Sequence, residues 1–193
     1  MRFSELSIDD FAGRLASGES TPGGGAAAAL MAVLSASLVQ MVCNHTLGRA
    51  KYAGVEERVA AIQAEAEQLG SRAGELMDAD AEAFQGVSAA FKIPKDDPTR
   101  AGRISQASKA ATEVPLAVIR AAERLSALGE EIGRIGNHTL GTDARTALVA
   151  AQAAASASNG NVQANRSFIT DAGWAAAACA EAERLLERIR ARL

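Results

Sequence analysis

The sequence predicts an all-α protein, a single domain over residues 1–193 folded as a bundle of long antiparallel helices. Three observations carry this reading. Nearly a quarter of the residues are alanine, the strongest helix former, whereas aromatic residues are only 4%. The chain has only four prolines, and its apolar residues recur at steps of three and four rather than two. At 193 residues it can bury about 70% of its unfolded surface around one core.

Ser7 followed three residues later by Asp10 has the spacing of a capping box, and Phe11 and Leu15 share the face of a short helix that stops before Gly18. The loop GESTPGGG then opens into an uncharged helix ending near Gly48. A long helix is expected from about Val55 to Ile93, where Pro94 and the turn KDDP break it. Asp97 before Pro98 reads as an N-cap followed by a proline in the first helical position. The next helix reaches about Ile135, with Pro115 kinking it, and Gly136 ends it. Thr142 or Asp143 is expected to cap an alanine-rich helix to about Ser158. Thr170 or Asp171 opens the last helix, whose Leu185, Leu186 and Ile189 face inward.

Composition excludes several classes of function. With 20 Lys+Arg against 23 Asp+Glu the net charge is -3, which argues against nucleic acid as a partner. The run from Ala26 to Leu47 carries no charge and is long enough to span a bilayer. Its alanine and serine content, with Gln40, Asn44 and His45, fits a central bundle helix better, so no membrane is expected. Cys43 and Cys179 lie in apolar helical stretches and read as reduced core residues of a cytoplasmic protein. The pentapeptide Asn-His-Thr-Leu-Gly occurs at 44–48 and again at 137–141 and holds both histidines. No third ligand stands at metal-binding spacing, so each copy reads as a helix end with glycine as C-cap, and no metal is expected.

One carboxylate is out of place. The apolar stripe of the long helix runs Val55, Val59, Ile62, Ala66, Leu69, Ala73, Leu76, and its next step lands on Asp80 before Phe84, Val87 and Phe91. Asp78 and Glu82 each lie about 160° away around the helix. A carboxylate on a buried stripe either caps or hydrogen-bonds a neighbouring element, or is tuned by desolvation for proton transfer. Thr21-Pro22-Gly23-Gly24-Gly25 precedes a helix N-terminus and reads as a tight interhelical turn or as a place where a ligand meets the backbone.

These pieces together resemble a known family. STPGGGAAAALMAVLSASLVQMVCNHTLGRAKY, LMDADAEAF at 76–84, AFKIPK at 90–95, EVPL at 113–116 and GNHTLGTDA at 136–144 are similar, in order and spacing, to the cyclodeaminase/cyclohydrolase family. That family comprises the cyclodeaminase domain of formiminotransferase-cyclodeaminase and free-standing methenyltetrahydrofolate cyclohydrolases. The resemblance implies an all-α bundle like the formiminotransferase-cyclodeaminase C-terminal domain, assembled as a homodimer with the folate site near the interface. It implies Asp80 as the catalytic carboxylate. It further implies Gly23, Gly24, Gly25, Asn44, Lys51, Lys92, Asp143, Asn165 and Arg166 as substrate-binding positions, with the cations taking the glutamate tail. No cofactor is expected, since the folate is the substrate. The expected reaction is hydrolysis of 5,10-methenyltetrahydrofolate to the 10-formyl form. The alternatives are release of ammonia from 5-formiminotetrahydrofolate, and a non-catalytic folate-binding or scaffold protein.

Overall fold

The computed structural model describes residues 2–193, and among these the chain forms six α-helices and no strand. They are α1 (Ile8–Leu15), α2 (Gly24–Asn44), α3 (Glu56–Phe91), α4 (Arg100–Ile135), α5 (Gly141–Asn165) and α6 (Ala172–Arg190). Side-chain partners fix their directions. Asn44 at the end of α2 accepts from Gln63 near the start of α3 at 2.5 Å, while Gly25 at the start of α2 meets Asp80. These helices are therefore antiparallel. Arg58 and Glu131 pair α3 with α4 at 2.6 Å, and Glu65 pairs with Arg124 in the same antiparallel sense. Ser35 donates to the Ala147 carbonyl at 2.8 Å, joining α2 to α5, and α6 runs beside α4 through Arg120–Glu181.

The helices approach closely because the facing residues are small. α2 buries Ala26, Ala28, Ala29, Ala32, Ser35 and Ala36, and packs on α3, α4 and α5. A Cβ on Gly129 of α4 would lie 2.8 Å from the Leu148 side chain of α5, which would have to shift to admit it. Among the described residues α2 alone has the length and composition of a membrane span, and its contacts are those of the central helix of a bundle. Cys43 and Cys179 are buried and unpaired, and burial pushes the Cys43 thiol up to about 12.

Several helix ends differ from the sequence reading. The Asp10 N–H does donate to Ser7 Oγ at 3.1 Å, and Phe11 is buried, but Leu15 stays 40% exposed. α4 begins at Arg100 behind Thr99, so Pro98 lies outside it. Asp97 instead accepts from the Thr99 N–H and hydroxyl, both at 2.7 Å, in a turn that leads into the helix. α5 begins at Gly141, which puts Thr142 and Asp143 inside its first turn rather than at the cap, and it continues past Ser158 to Asn165. Asp171 caps α6 as expected, accepting from the Trp174 N–H at 3.0 Å.

The repeated pentapeptide performs two different tasks. The first copy follows the end of α2, and its Gly48 takes a left-handed φ of 70°. The second copy starts a helix instead of ending one, and Gly141 has φ -58°. The copies bind each other: the Asn137 N–H donates to Thr46 Oγ1 at 3.0 Å, and Asn137 Nδ2 donates to the His45 carbonyl at 3.2 Å. Asn137 is buried, and these bonds tie the end of α2 to the start of α5.

Candidate active site

The apolar stripe of α3 is core only as far as Leu76. Val59, Ile62, Ala66, Ala73 and Leu76 are buried, Asp80 is half-buried, and Phe84 is 48% exposed. The stripe leaves the core at Asp80 and becomes the wall of a cavity of about 340 Å³. The glycine loop and the start of α2 close one side, α4 contributes Ala111 and Pro115, and α5 contributes Asn161 and Asn165.

Asp80 both caps and lines. Its Oδ2 accepts from the Ala26 N–H, in the first turn of α2, at 3.1 Å. One side chain thus bonds the first turn of a neighbouring helix and is also desolvated. Desolvation raises its carboxyl above the ordinary 3.8, and the bond from Ala26 only partly opposes this. Asp78 and Glu82 point away as expected. Asp78 accepts from the Phe3 N–H at 2.8 Å and pairs with Arg2, while Glu82 is exposed. Among the described residues Asp80 is the sole charged one lining the cavity.

Of the three glycines, Gly25 is the one the carboxylate requires. A Cβ there would lie within 2.6 Å of all three atoms of the Asp80 carboxyl group, whereas nothing lies within 4 Å of one placed on Gly24. Gly23 and Gly24 also line the cavity.

The other expected binding residues divide between the two ends of the bundle. Asn165 lines the cavity, and Arg166 follows it in an exposed turn, Arg166–Phe168. That turn is held to the end of α3 by Phe168 edge-on to Phe91, with ring centres 5.2 Å apart. Lys92 lines a smaller cleft of about 260 Å³ that shares Ser20, Thr21 and Phe84 with the cavity. A single chain does not bring Asn44, Lys51 or Asp143 to Asp80. At 1.5 Å per residue, α2 carries Asn44 about 30 Å from the glycine loop, and Asp143 stands about 27 Å along α5 from Asn161. Asn44 binds Gln63, and the Lys51 ammonium lies 5.4 Å over the Tyr52 ring. His45 and His138 are exposed at that same end, and among the described residues no group of three or more His, Cys, Asp or Glu could hold a metal.

Asn161 is a cavity residue that the sequence reading did not single out. Its spacing of four from Asn165 places the two carboxamides on one face of α5, and neither side chain has a hydrogen-bond partner among the described residues.

Comparison with known proteins shows the family and the fold. The family model described as formiminotransferase-cyclodeaminase matches residues 7–184. A methenyltetrahydrofolate cyclohydrolase of Methylorubrum extorquens is 36% identical over 183 residues, covering 93% of this chain and 88% of that protein. The formimidoyltransferase-cyclodeaminase of Sus scrofa is 28% identical over 83% of this chain, which spans 30% of that longer protein. The crystal structure of formiminotetrahydrofolate cyclodeaminase from Thermotoga maritima superposes with a TM-score of 0.86 at 28% identity, covering 98% of this chain and 96% of that one. The chain belongs to the formiminotransferase-cyclodeaminase family.

Proposed function

We propose that this protein is a folate one-carbon enzyme that hydrolyses 5,10-methenyltetrahydrofolate to 10-formyltetrahydrofolate. The observation that carries the reading is a desolvated carboxylate, Asp80, in a cavity that no other charged group lines among the described residues. The methenyl substrate is a cationic N–C–N centre. A low-dielectric cavity with one negative group favours such a centre and strengthens the attraction beyond its value in water. The Methylorubrum cyclohydrolase is 36% identical to this chain against 28% for the Thermotoga cyclodeaminase, which supports this reaction over its sister.

In the proposed mechanism Asp80 first acts as base. Water forms a C–O bond to the methenyl carbon and gives its proton to Asp80, leaving a neutral tetrahedral carbon between N5 and N10. Asp80 then returns that proton to N5 as the C–N5 bond breaks, and the hydroxyl proton leaves to solvent as the formyl C=O forms. One proton is released overall. Fixing Oδ2 on Ala26 leaves Oδ1 for the shuttle, and such a positioned acid/base contributes about 10²–10⁴-fold. Asn161 and Asn165 face the ring, and Lys92, with Arg166, meets the glutamate carboxylates in the adjoining cleft.

The Thermotoga structure favours a second reading, release of ammonia from 5-formiminotetrahydrofolate. In that reaction N10 forms a bond to the formimino carbon and its proton passes to the imino nitrogen. Asp80 supplies the second proton, and the carbon–nitrogen bond breaks to release ammonia and leave the methenyl cation. Decay of methenyl absorbance at trace enzyme identifies the first reaction. Appearance of that absorbance with ammonia from the formimino substrate identifies the second. Stoichiometric binding without either would refute both and leave a binding protein.

The proposed working form is a cytoplasmic homodimer. α2 exposes Leu34 at 52%, with Leu30, Met31, Leu38 and Met41 only partly covered along an uncharged helix. A second copy of that face would cover them.

A further inference from the structure

α4 runs unbroken from Arg100 to Ile135 with Pro115 buried inside it. Proline has no N–H, so the carbonyl of Ala111, four residues earlier, lacks its donor in the helical ladder. The nearby hydroxyl of Thr112 does not substitute, because it donates to the Ser108 carbonyl at 2.7 Å. Helix carbonyls point toward the C-terminus, here from Ala111 toward the Pro115 turn. Both ends of the missing bond, Ala111 and Pro115, line the cavity that holds Asp80. A half-buried carbonyl without its usual partner is uncommon and is satisfied by water or by a ligand.

We propose that the Ala111 carbonyl is a substrate-binding acceptor kept vacant by Pro115, and that it receives an N–H from the fused heteroaromatic ring of the substrate. This rests on the folate reading above, in which the pterin offers an exocyclic amine and a lactam N–H. Asp80 acts at the one-carbon unit, and α4 contributes to selection of the ring. Pro115 is then a specificity-determining position that acts through the backbone of Ala111.

The test is to return the donor. Pro115→Ala restores an N–H that can occupy the Ala111 carbonyl. The expected result is a melting temperature equal to or above that of the wild type, with KM for the folate raised roughly tenfold and kcat little changed. The preference for the natural ring over a 2-desamino or 2-methyl analogue should shrink by a similar factor. Replacing Pro115 with the α-hydroxy analogue of alanine removes both the ring and the N–H, and is expected to keep the wild-type KM. A Pro115→Ala protein with wild-type KM and ring preference would overturn the proposal. So would an ester variant as impaired as Pro115→Ala, since the shape of the proline would then be what matters. A wild-type protein that turns over neither folate removes the functional reading and this proposal with it, an outcome distinct from both.

Discussion

Gly25→Ala would place a methyl carbon within 2.6 Å of Cγ, Oδ1 and Oδ2 of Asp80, where ordinary contact begins at 3.4 Å. The start of α2 cannot retreat, because Ala26, Ala28 and Ala29 are fully buried against neighbouring helices. The carboxylate must therefore move by on the order of 1 Å, and the 3.1 Å bond from Ala26 is lost. Loss of a bond to a charged acceptor costs about 1.5–3 kcal/mol. Overpacking adds about 1–3 kcal/mol. Replacing a helical glycine by alanine offsets about 0.5–1 kcal/mol. The net expectation is a destabilisation of about 2–5 kcal/mol, read by urea denaturation. A misplacement of this size at the reacting group also lowers turnover about 10²-fold. Gly24→Ala is the stability control, since its methyl group meets no protein atom within 4 Å, and it should keep wild-type stability. Wild-type stability and turnover in Gly25→Ala would refute the argument that this glycine exists to admit Asp80.

Asp80→Asn should stabilise the protein at pH above the raised folded value, where wild-type Asp80 is charged in a desolvated site. Its raised carboxyl makes the penalty fade as pH falls through the folded value toward 3.8, so the difference in melting temperature should narrow over that window. Activity of the wild type should fall over the same window as the base protonates, which a pH–rate profile would record. Lys92→Gln should raise KM several-fold, more at low salt and more for longer glutamate tails, with kcat unchanged. Asn137→Ala at the far end should cost about 1–3 kcal/mol on thermal unfolding while leaving kcat intact. Leu34→Arg should shift a dimer toward monomer by light scattering, and an unchanged mass would show that α2 is not the interface.

Periodicity alone separated Asp80 from Asp78 and Glu82, because the rotation of a helix is a local property that no partner changes. It did not reveal that the stripe leaves the core at Asp80, since Phe84 has the same apolar side chain in a cavity wall as in a core. The ends of α4 and α5 shifted for a related reason. Thr99 and Leu140 stand at the caps without a side-chain capping bond, because short turns lead the chain into each helix. Position in one motif does not set distance within one chain. Asn44 and Lys51 follow the glycine loop in one continuous motif, yet a straight helix converts that sequence distance into the length of the bundle. Asn161 could have been found by its spacing of four from Asn165. The pairing of α2 with α5 that brings those carboxamides opposite Asp80 is tertiary and has no local signature.

The central claim is that Asp80 moves the proton in a one-carbon reaction on folate. Its most direct test is the rate of loss of 5,10-methenyltetrahydrofolate absorbance for wild type and Asp80→Asn, with folding of the variant verified by its melt. The account predicts rapid loss with the wild type and a drop in kcat of about 10²–10⁴-fold in a fully folded variant. Comparable rates for the two proteins would contradict it.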